Sequence, residues 1–297
     1  MINNYNKGFT LLEVLISVLV IGIIASIVLV NNNDEAKKQS EFVNIKAKWA
    51  MNDGKYIEKL VGKWSFDEVS GTGVIDSSTF AKNGNMSSAT MRKDADECAI
   101  GKCLKFNGVS DYVEVNNVQY FSKWTYSLWI NRIADSGTYE RIMSFSNNSD
   151  YDRWFQIQPD DSLNSGYRDS VGGRHVSTSD KIELNRWYYV VATFDGQNIK
   201  LYIDGQLKIT GPDFSSYTPR VMNYPLQFGR LGSSSFVYNF NGFIDEVAIY
   251  SDAITLSEIE SNYLAGIDNL LIEGMITEEE YFERLAIFKD NQLANNK

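Results

Sequence analysis

At 297 residues, with 43% apolar and 13% aromatic content, the chain is long enough to fill the core of one large all-β domain or two small ones. Its 38 acidic against 28 basic residues give a net charge of −10, which argues against nucleic acid as a partner, because a sequence-independent grip on phosphates rests on Lys and Arg. His175 is the only histidine and Cys98 and Cys103 are the only cysteines, so a zinc site would lack ligands.

The chain opens on a short leader, residues 1–8, followed by an apolar run from Phe9 to Val30 in which Glu13 is the single charge. As a helix rising about 1.5 Å per residue this run spans roughly 33 Å, enough to cross a hydrocarbon core of about 30 Å. A carboxylate there costs on the order of 2 to 3 kcal/mol, so Glu13 needs a partner or a function. The small residue Gly8 comes before the apolar run, directly after Lys7, whereas a secretory signal places its small residues after. Lys7 holds the leader on the cytoplasmic side, and everything beyond Val30 is expected outside.

The stretch KGFTLLEVLISVLVIGIIA resembles the prepilin signature of type IV pilins and pseudopilins. The resemblance implies that a prepilin peptidase cuts after Gly8 and methylates the new amino group of Phe9. It also implies that Glu13 pairs with the terminal ammonium of a neighbouring subunit, as an assembly residue. A lone interfacial carboxylate on a plain signal anchor is the blander reading. Other pilin subunits, the peptidase and the membrane are the implied partners; the implied location is a single-pass precursor in the cytoplasmic membrane, then an extracellular filament or the cell surface. Major pilins often carry a proline late in this helix; here none precedes Pro159, which favours a minor pilin or pseudopilin.

Residues 31–61 read as an amphipathic helix extension and linker, with Phe42, Ile45 and Trp49 on one face and a stop at Asn52-Asp53-Gly54. From Gly62 to residue 254 the idiom is strand and turn. In WYYVVATFDGQNIKLYIDGQLKIT, Asp195-Gly196 and Asp204-Gly205 are hairpin signals that predict three consecutive antiparallel strands. With CLKFNGVSDYVEV, KWTYSLWINRI, ERIMSFSN, RWFQIQP, YPLQFGRLG and FNGFIDEVAIY, the spacing predicts a mainly β fold, an antiparallel β-sandwich. The order of these fragments, from KWSFDEVSGTGVIDSS to FNGFIDEVAIYSDAITLSEIE, resembles the laminin-G-like jelly rolls of the concanavalin A-like lectin and glucanase fold. That resemblance implies carbohydrate or protein recognition and often a calcium ion; it does not imply catalysis.

Asp245 shares strand parity with Val247 and Ile249, so it points into the core unless a bulge intervenes. A buried carboxylate must be hydrogen-bonded, paired or metal-bound. Asp67, Asp76 and Asp245 are therefore candidate calcium ligands, with backbone N–H bonds to Asp245 as the alternative; Asp111 is a weaker candidate, explained by its turn. Trp64, Trp124, Trp129 and Trp187 fall in predicted strands and read as core. Ligand candidates are expected from loops: Tyr139, Arg141, Trp154, Tyr167 and Arg174 in the central stretch, with Tyr217, Tyr224, Phe236 and Tyr238 marking later loops. Aromatic faces beside Asn, Asp and Arg suit sugars, and the same composition suits a protein surface. Cys98 and Cys103 lack C-x-x-C spacing and read as a structural disulfide.

Residues 255–297 predict a short helical C-terminal tail. Leu256, Ile259 and Tyr263 form an amphipathic turn, Gly274 a helix stop, and Thr277 with Glu280 a capping box before a second helix. This hairpin either aids association or docks on its own head. The E-x-D-x-x-E carboxylate pattern of sandwich-fold glucanases is missing, as are G-x-S-x-G and H-E-x-x-H, so the chain does not read as an enzyme. The expected function is a minor pilin or pseudopilin displaying a lectin-like domain for adhesion or surface recognition. A structural or priming subunit is the alternative, and a glycan-processing enzyme stands last.

Overall fold

The computed structural model describes residues 57–88, 91–147, 150–232 and 238–295, all within one compact unit, 52–297. The leader, the apolar helix with Gly8, Phe9 and Glu13, most of the amphipathic extension, and Phe236 lie outside the described residues. Among the described residues no helix is long and apolar enough to cross a membrane.

Sixteen strands are described. They run β1 (Leu60–Trp64), β2 (Gly73–Val74), β3 (Gly84–Met86), β4 (Arg92–Lys93), β5 (Cys103–Asn107), β6 (Val113–Val115), β7 (Trp124–Arg132) and β8 (Glu140–Ser146). There follow β9 (Tyr151–Ile157), β10 (Ser162–Arg168), β11 (Gly173–Lys181), β12 (Trp187–Phe194), β13 (Ile199–Ile203), β14 (Gln206–Thr210), β15 (Leu226–Phe228) and β16 (Asn241–Tyr250). The first sheet has the order β14-β13-β12-β7-β16-β5-β4, with β1 also paired to β16; the second has the order β11-β10-β9-β8-β15-β6-β3-β2. The named strand pairs are antiparallel, and β12, β13 and β14 form the meander that the two Asp-Gly turns predict. The first strand begins at Leu60, two residues ahead of the expected boundary.

Alternation along each strand separates two apolar layers. In β7, Trp124, Tyr126, Leu128 and Ile130 enter the core between the sheets, where they meet Phe145, Phe155, Leu163 and Phe228 of the second sheet. On its other face the first sheet carries Trp129, Trp187, Tyr189, Val191 and Tyr202, which belong to a second cluster. Two helices add to that cluster, α1 (Leu256–Ile272) through Ile259, Tyr263 and Ile267 and α2 (Glu278–Asn295) through Phe288, as do Cys98, Cys103 and Phe243. Both faces of this sheet are thus apolar, which is why WYYVVATF reads as a continuous hydrophobic run. The expected short turn at Leu256 is a helix of 17 residues, and of the two fates open to the tail, the hairpin docks on its own sandwich. The Glu280 N–H donates to the Thr277 hydroxyl at 3.2 Å, as the capping box requires.

Cys98 and Cys103 are joined by a disulfide that closes the loop beside Phe243. Replacing both with Ser should cost about 2 kcal/mol from lost loop closure. Urea unfolding should show a lower midpoint; an unchanged midpoint would mean the loop is held by its contacts alone.

β16 departs from the parity expected for it. Its pairing with β7 shifts register between Asp245 and Ala248, and Glu246 sits at φ 47°. The bulge keeps Ile244, Val247 and Ile249 in the core between the sheets while Asp245, fully buried, turns to the loop that carries Ile100, so the exception allowed for in the parity reading is the one that holds.

Candidate functional site

Among the described residues no helix packs on the outer face of the second sheet, and that face is polar. Register places Glu114, Gln227, Ser144, Trp154, Gly166 and His175 in one row across β6, β15, β8, β9, β10 and β11. Arg141, Gln156, Asn164 and Ser177 form a second row across β8 to β11. Gly166 is required at its place: an added Cβ would lie 2.6 Å from Trp154 Cζ2 and 2.3 Å from the Arg174 carbonyl.

Hydrogen bonds fix the polar side chains. Trp154 Nε1 and Gln156 Nε2 both donate to Asn164 Oδ1, at 2.7 and 3.0 Å, and Asn164 Nδ2 donates to the Val176 carbonyl and the Ser177 hydroxyl. The Ser146 hydroxyl donates to Gln227 Oε1 at 3.0 Å, and Gln227 Nε2 donates to Glu114 Oε2 at 2.9 Å. Beside this network Arg141 Cζ lies 5.1 Å from the Tyr151 ring centre, 5.8 Å from Trp154 and 5.9 Å from Tyr238, and Tyr139 meets Tyr238 edge-on at 5.2 Å. Burial pushes the Arg141 guanidinium down to about 10.

Of the five predicted ligand residues, the fold brings together Tyr139, Arg141 and Trp154. Tyr167 is a correction: it is fully buried between the sheets against Trp124 and Phe194, with its hydroxyl donating to the Tyr217 carbonyl. Arg174 is another: it pairs with Tyr167 in register and so shares Tyr167's face of the sheet, away from the polar row, bonded to Asp169 and stacked on Tyr217. The stretch expected to supply loops consists instead of β8 to β11. Asn164, Gln156, Ser177 and Gln227 were not expected; the alternation Leu163, Ser165, Tyr167 against Asn164, Gly166, Arg168 is the signal that would have found β10.

The three predicted calcium ligands each accept hydrogen bonds from the protein, and Asp67 and Asp245 both bond the 100–102 loop. Asp76 is already engaged: Oδ1 accepts the N–H groups of Lys63 and Ser78, and Oδ2 accepts the Lys82 N–H and the Ser78 hydroxyl. Asp67 accepts the Lys102 N–H, and Asp111 accepts the Asn107 N–H in its turn. Asp245 accepts the N–H groups of Ile100 and Glu246, each at 2.8 Å; burial pushes its carboxyl well up, and the charges of Glu246 and Asp67 add to that. Among the described residues no group of three or more His, Cys, Asp or Glu could hold a metal ion. The need for a partner at Asp245 is met by backbone donors.

Asp152 lies at the margin of the polar face. Burial pushes its carboxyl up to about 6, outweighing Arg153 at 3.8 Å and Arg220 at 3.5 Å. A folded-state value above the unfolded one means that this group's stabilisation is full below about pH 4 and is lost as pH rises towards 6. The Asp152→Asn variant should therefore lose less stability than the parent between pH 4 and pH 7 in thermal unfolding; parallel curves would refute the assignment.

On the opposite side of the molecule a cleft of ≈ 610 Å³ opens between the first sheet and the helical hairpin, lined by Arg186, Trp187, Phe243, Ile276, Glu280 and Arg284 among others.

Two antiparallel sheets around a shared apolar core, one bearing a polar ladder on its outer face, define a lectin-like sandwich. A family model described as the concanavalin A-like lectin/glucanases superfamily matches residues 107–260, and the chain belongs to that superfamily. A second model, the prokaryotic N-terminal methylation motif, matches residues 3–29, the segment that reads as a prepilin signature.

Solved structures share the fold. The binding domain of Paraclostridial Mosquitocidal Protein 1 is 19% identical with a TM-score of 0.57, covering 71% of this chain and 53% of that one. Domain 4 of AbnA, a GH43 extracellular arabinanase from Geobacillus stearothermophilus, solved in complex with arabinotriose, is 21% identical with a TM-score of 0.53, covering 68% of this chain and 97% of that one. The receptor binding domain of botulinum neurotoxin mosaic serotype C/D is 18% identical with a TM-score of 0.57, covering 72% and 52%. The chain thus spans about half the length of the toxin binding domains it resembles. No curated protein matches the chain.

Proposed function

We propose that this chain is a pilin-like subunit, a minor type IV pilin or pseudopilin, that carries a carbohydrate-binding sandwich on the cell surface. One observation carries the reading: a single chain joins an N-terminal methylation motif to a lectin-family domain whose second sheet keeps a hydrogen-bonded polar face. In this reading a prepilin peptidase cuts after Gly8 and methylates Phe9, and Glu13 sets register between neighbouring subunits in the low dielectric of the packed helices. Tyr139, which is exposed, supplies aromatic surface for a sugar ring, and Ser177, half-buried at the end of the Gln156–Asn164 row, supplies a hydroxyl. The arabinotriose complex of a similarly folded domain supports saccharide as the ligand class. The polar row offers no pair of carboxylates facing one bond, so recognition without hydrolysis is the assigned activity.

The test is a glycan array probed with full-length protein in detergent, with calcium and then with chelator. Specific binding supports the reading, and its loss with chelator would restore an ion to the site. The cleft under the helical hairpin favours the structural alternative, in which another subunit docks there. Absence of glycan binding by folded protein, together with immunogold label spread evenly along filaments, would turn the assignment to that alternative.

A further inference from the structure

Four arginines are buried in the described part of this molecule: Arg132, Arg141, Arg153 and Arg284. Three of them have a carboxylate. Arg132 pairs with Glu140 at 2.8 Å, Arg284 with Glu280 at 2.7 Å, and Arg153 with Asp152 at 3.8 Å. Arg141 is only 3% exposed, yet the charged-form partners acting on it are the phenols of Tyr151, Tyr238 and Tyr139, and no acidic side chain among the described residues pairs with it. Its Nε and Nη1, one on each hydrogen-bonding edge of the guanidinium, have no partner. In a chain with an excess of acidic residues, an acid was available by composition and is missing at this place.

A buried cation normally needs a compensating charge. The rings of Tyr151, Trp154 and Tyr238 offset part of the cost through their π faces, but they accept no hydrogen bond from the guanidinium edges. In the same row Gln156 Oε1 also lacks a partner, but of the two groups only Arg141 carries a charge. The sign of the deficit is informative: a cation without a counter-ion calls for an anion.

Resting on the carbohydrate-binding reading above, we infer that the saccharide recognised by this face is acidic, its carboxylate or sulfate group accepting hydrogen bonds from the Arg141 guanidinium while a sugar ring packs on the exposed Tyr139. Charge-assisted bonds from Arg to a planar anion are stronger than neutral ones and geometrically selective. Arg141 is then the residue that separates acidic from neutral sugars, and Asn164 and Gln156 position the Trp154 ring.

The experiment measures binding of full-length protein in detergent to matched pairs: trigalacturonate against its methyl ester, sialyllactose against lactose, and sulfated lactose as the tetrahedral arm. The acidic member of at least one pair should bind about tenfold or more tighter, the effect of a charged hydrogen bond. Arg141→Gln should abolish that preference and Arg141→Lys should retain part of it. The trigalacturonate, sialyllactose and sulfated arms separate carboxylate from sulfate as the recognised group. Equal affinity for acidic and neutral members in the parent protein would overturn the inference with no mutation needed, while leaving saccharide binding intact. Binding to no saccharide of either kind would overturn the binding reading and this inference with it. Arg141→Gln that folds, as judged by its thermal transition, and keeps the acidic preference would also overturn it.

Discussion

Arg132→Met should destabilise the sandwich by about 3 to 5 kcal/mol, the cost of leaving a buried charge without its partner. Arg132 ends β7 and is 1% exposed. Its Nε donates to both oxygens of Glu140 at 3.1 Å, its Nη2 donates to Glu140 at 2.8 Å and Asp135 at 2.6 Å, and its Nη1 donates to Asp161 at 2.6 Å. Glu140, fully buried at the start of β8, receives one further bond from the Ser136 N–H. The guanidinium thus links β7 of the first sheet to β8 and to the turn before β10 of the second. Removing it leaves the Glu140 carboxylate in an apolar setting with one donor. Glu140→Gln added to Arg132→Met should recover a substantial part of the loss, because the orphaned charge is gone. Urea unfolding of the parent, both single variants and the double variant gives the coupling energy; a double variant as unstable as the sum of the singles would show that the two side chains act independently.

Trp129→Ala should cost a similar amount, about 3 to 5 kcal/mol, by opening a cavity between the first sheet and the helical hairpin. Trp129 is 1% exposed, with Tyr189 beside it at 5.4 Å and Tyr263 of α1 stacked on it at 6.0 Å. The helix approaches so closely that a Cβ at Gly266 would lie 1.9 Å from Trp129 Cζ2. Glycine in a helix interior normally costs about 1 kcal/mol against alanine. At Gly266 the sign should reverse: Gly266→Ala should destabilise by about 1 to 3 kcal/mol, since the indole must move. In the Trp129→Ala background the clash is gone, so the same Gly266→Ala change should stabilise. Thermal unfolding of this four-member cycle tests the docking of the hairpin directly. A stabilising Gly266→Ala in the parent would mean that α1 does not rest on Trp129 in solution.

Much of this was legible before any coordinates. The Asp-Gly turns announced β12 to β14 because few residues tolerate the backbone they impose, and the methylation motif announced itself through Gly8, Phe9 and Glu13 in an otherwise apolar run. β10 and β11 were harder to read. Their outward residues include Asn164, Gly166, His175 and Ser177, of which Asn164 and Ser177 bond across the strands, so the hydrophobic pattern that marks a strand is halved. Tyr167 was read as a surface ligand residue and proved to be core, because composition around it is polar while its strand parity is inward.

Local chemistry in the sequence therefore determined the family, the strand-and-turn idiom, the disulfide and the signature at the N-terminus, since each depends on residues close together in the chain. Tertiary structure alone decided that the C-terminal hairpin lies on the first sheet, that a bulge at Glu246 turns Asp245 away from the core, and that Arg141 is buried beside Trp154 without an acid. Those outcomes depend on register and on which faces meet, and a one-residue shift in a strand exchanges its two faces.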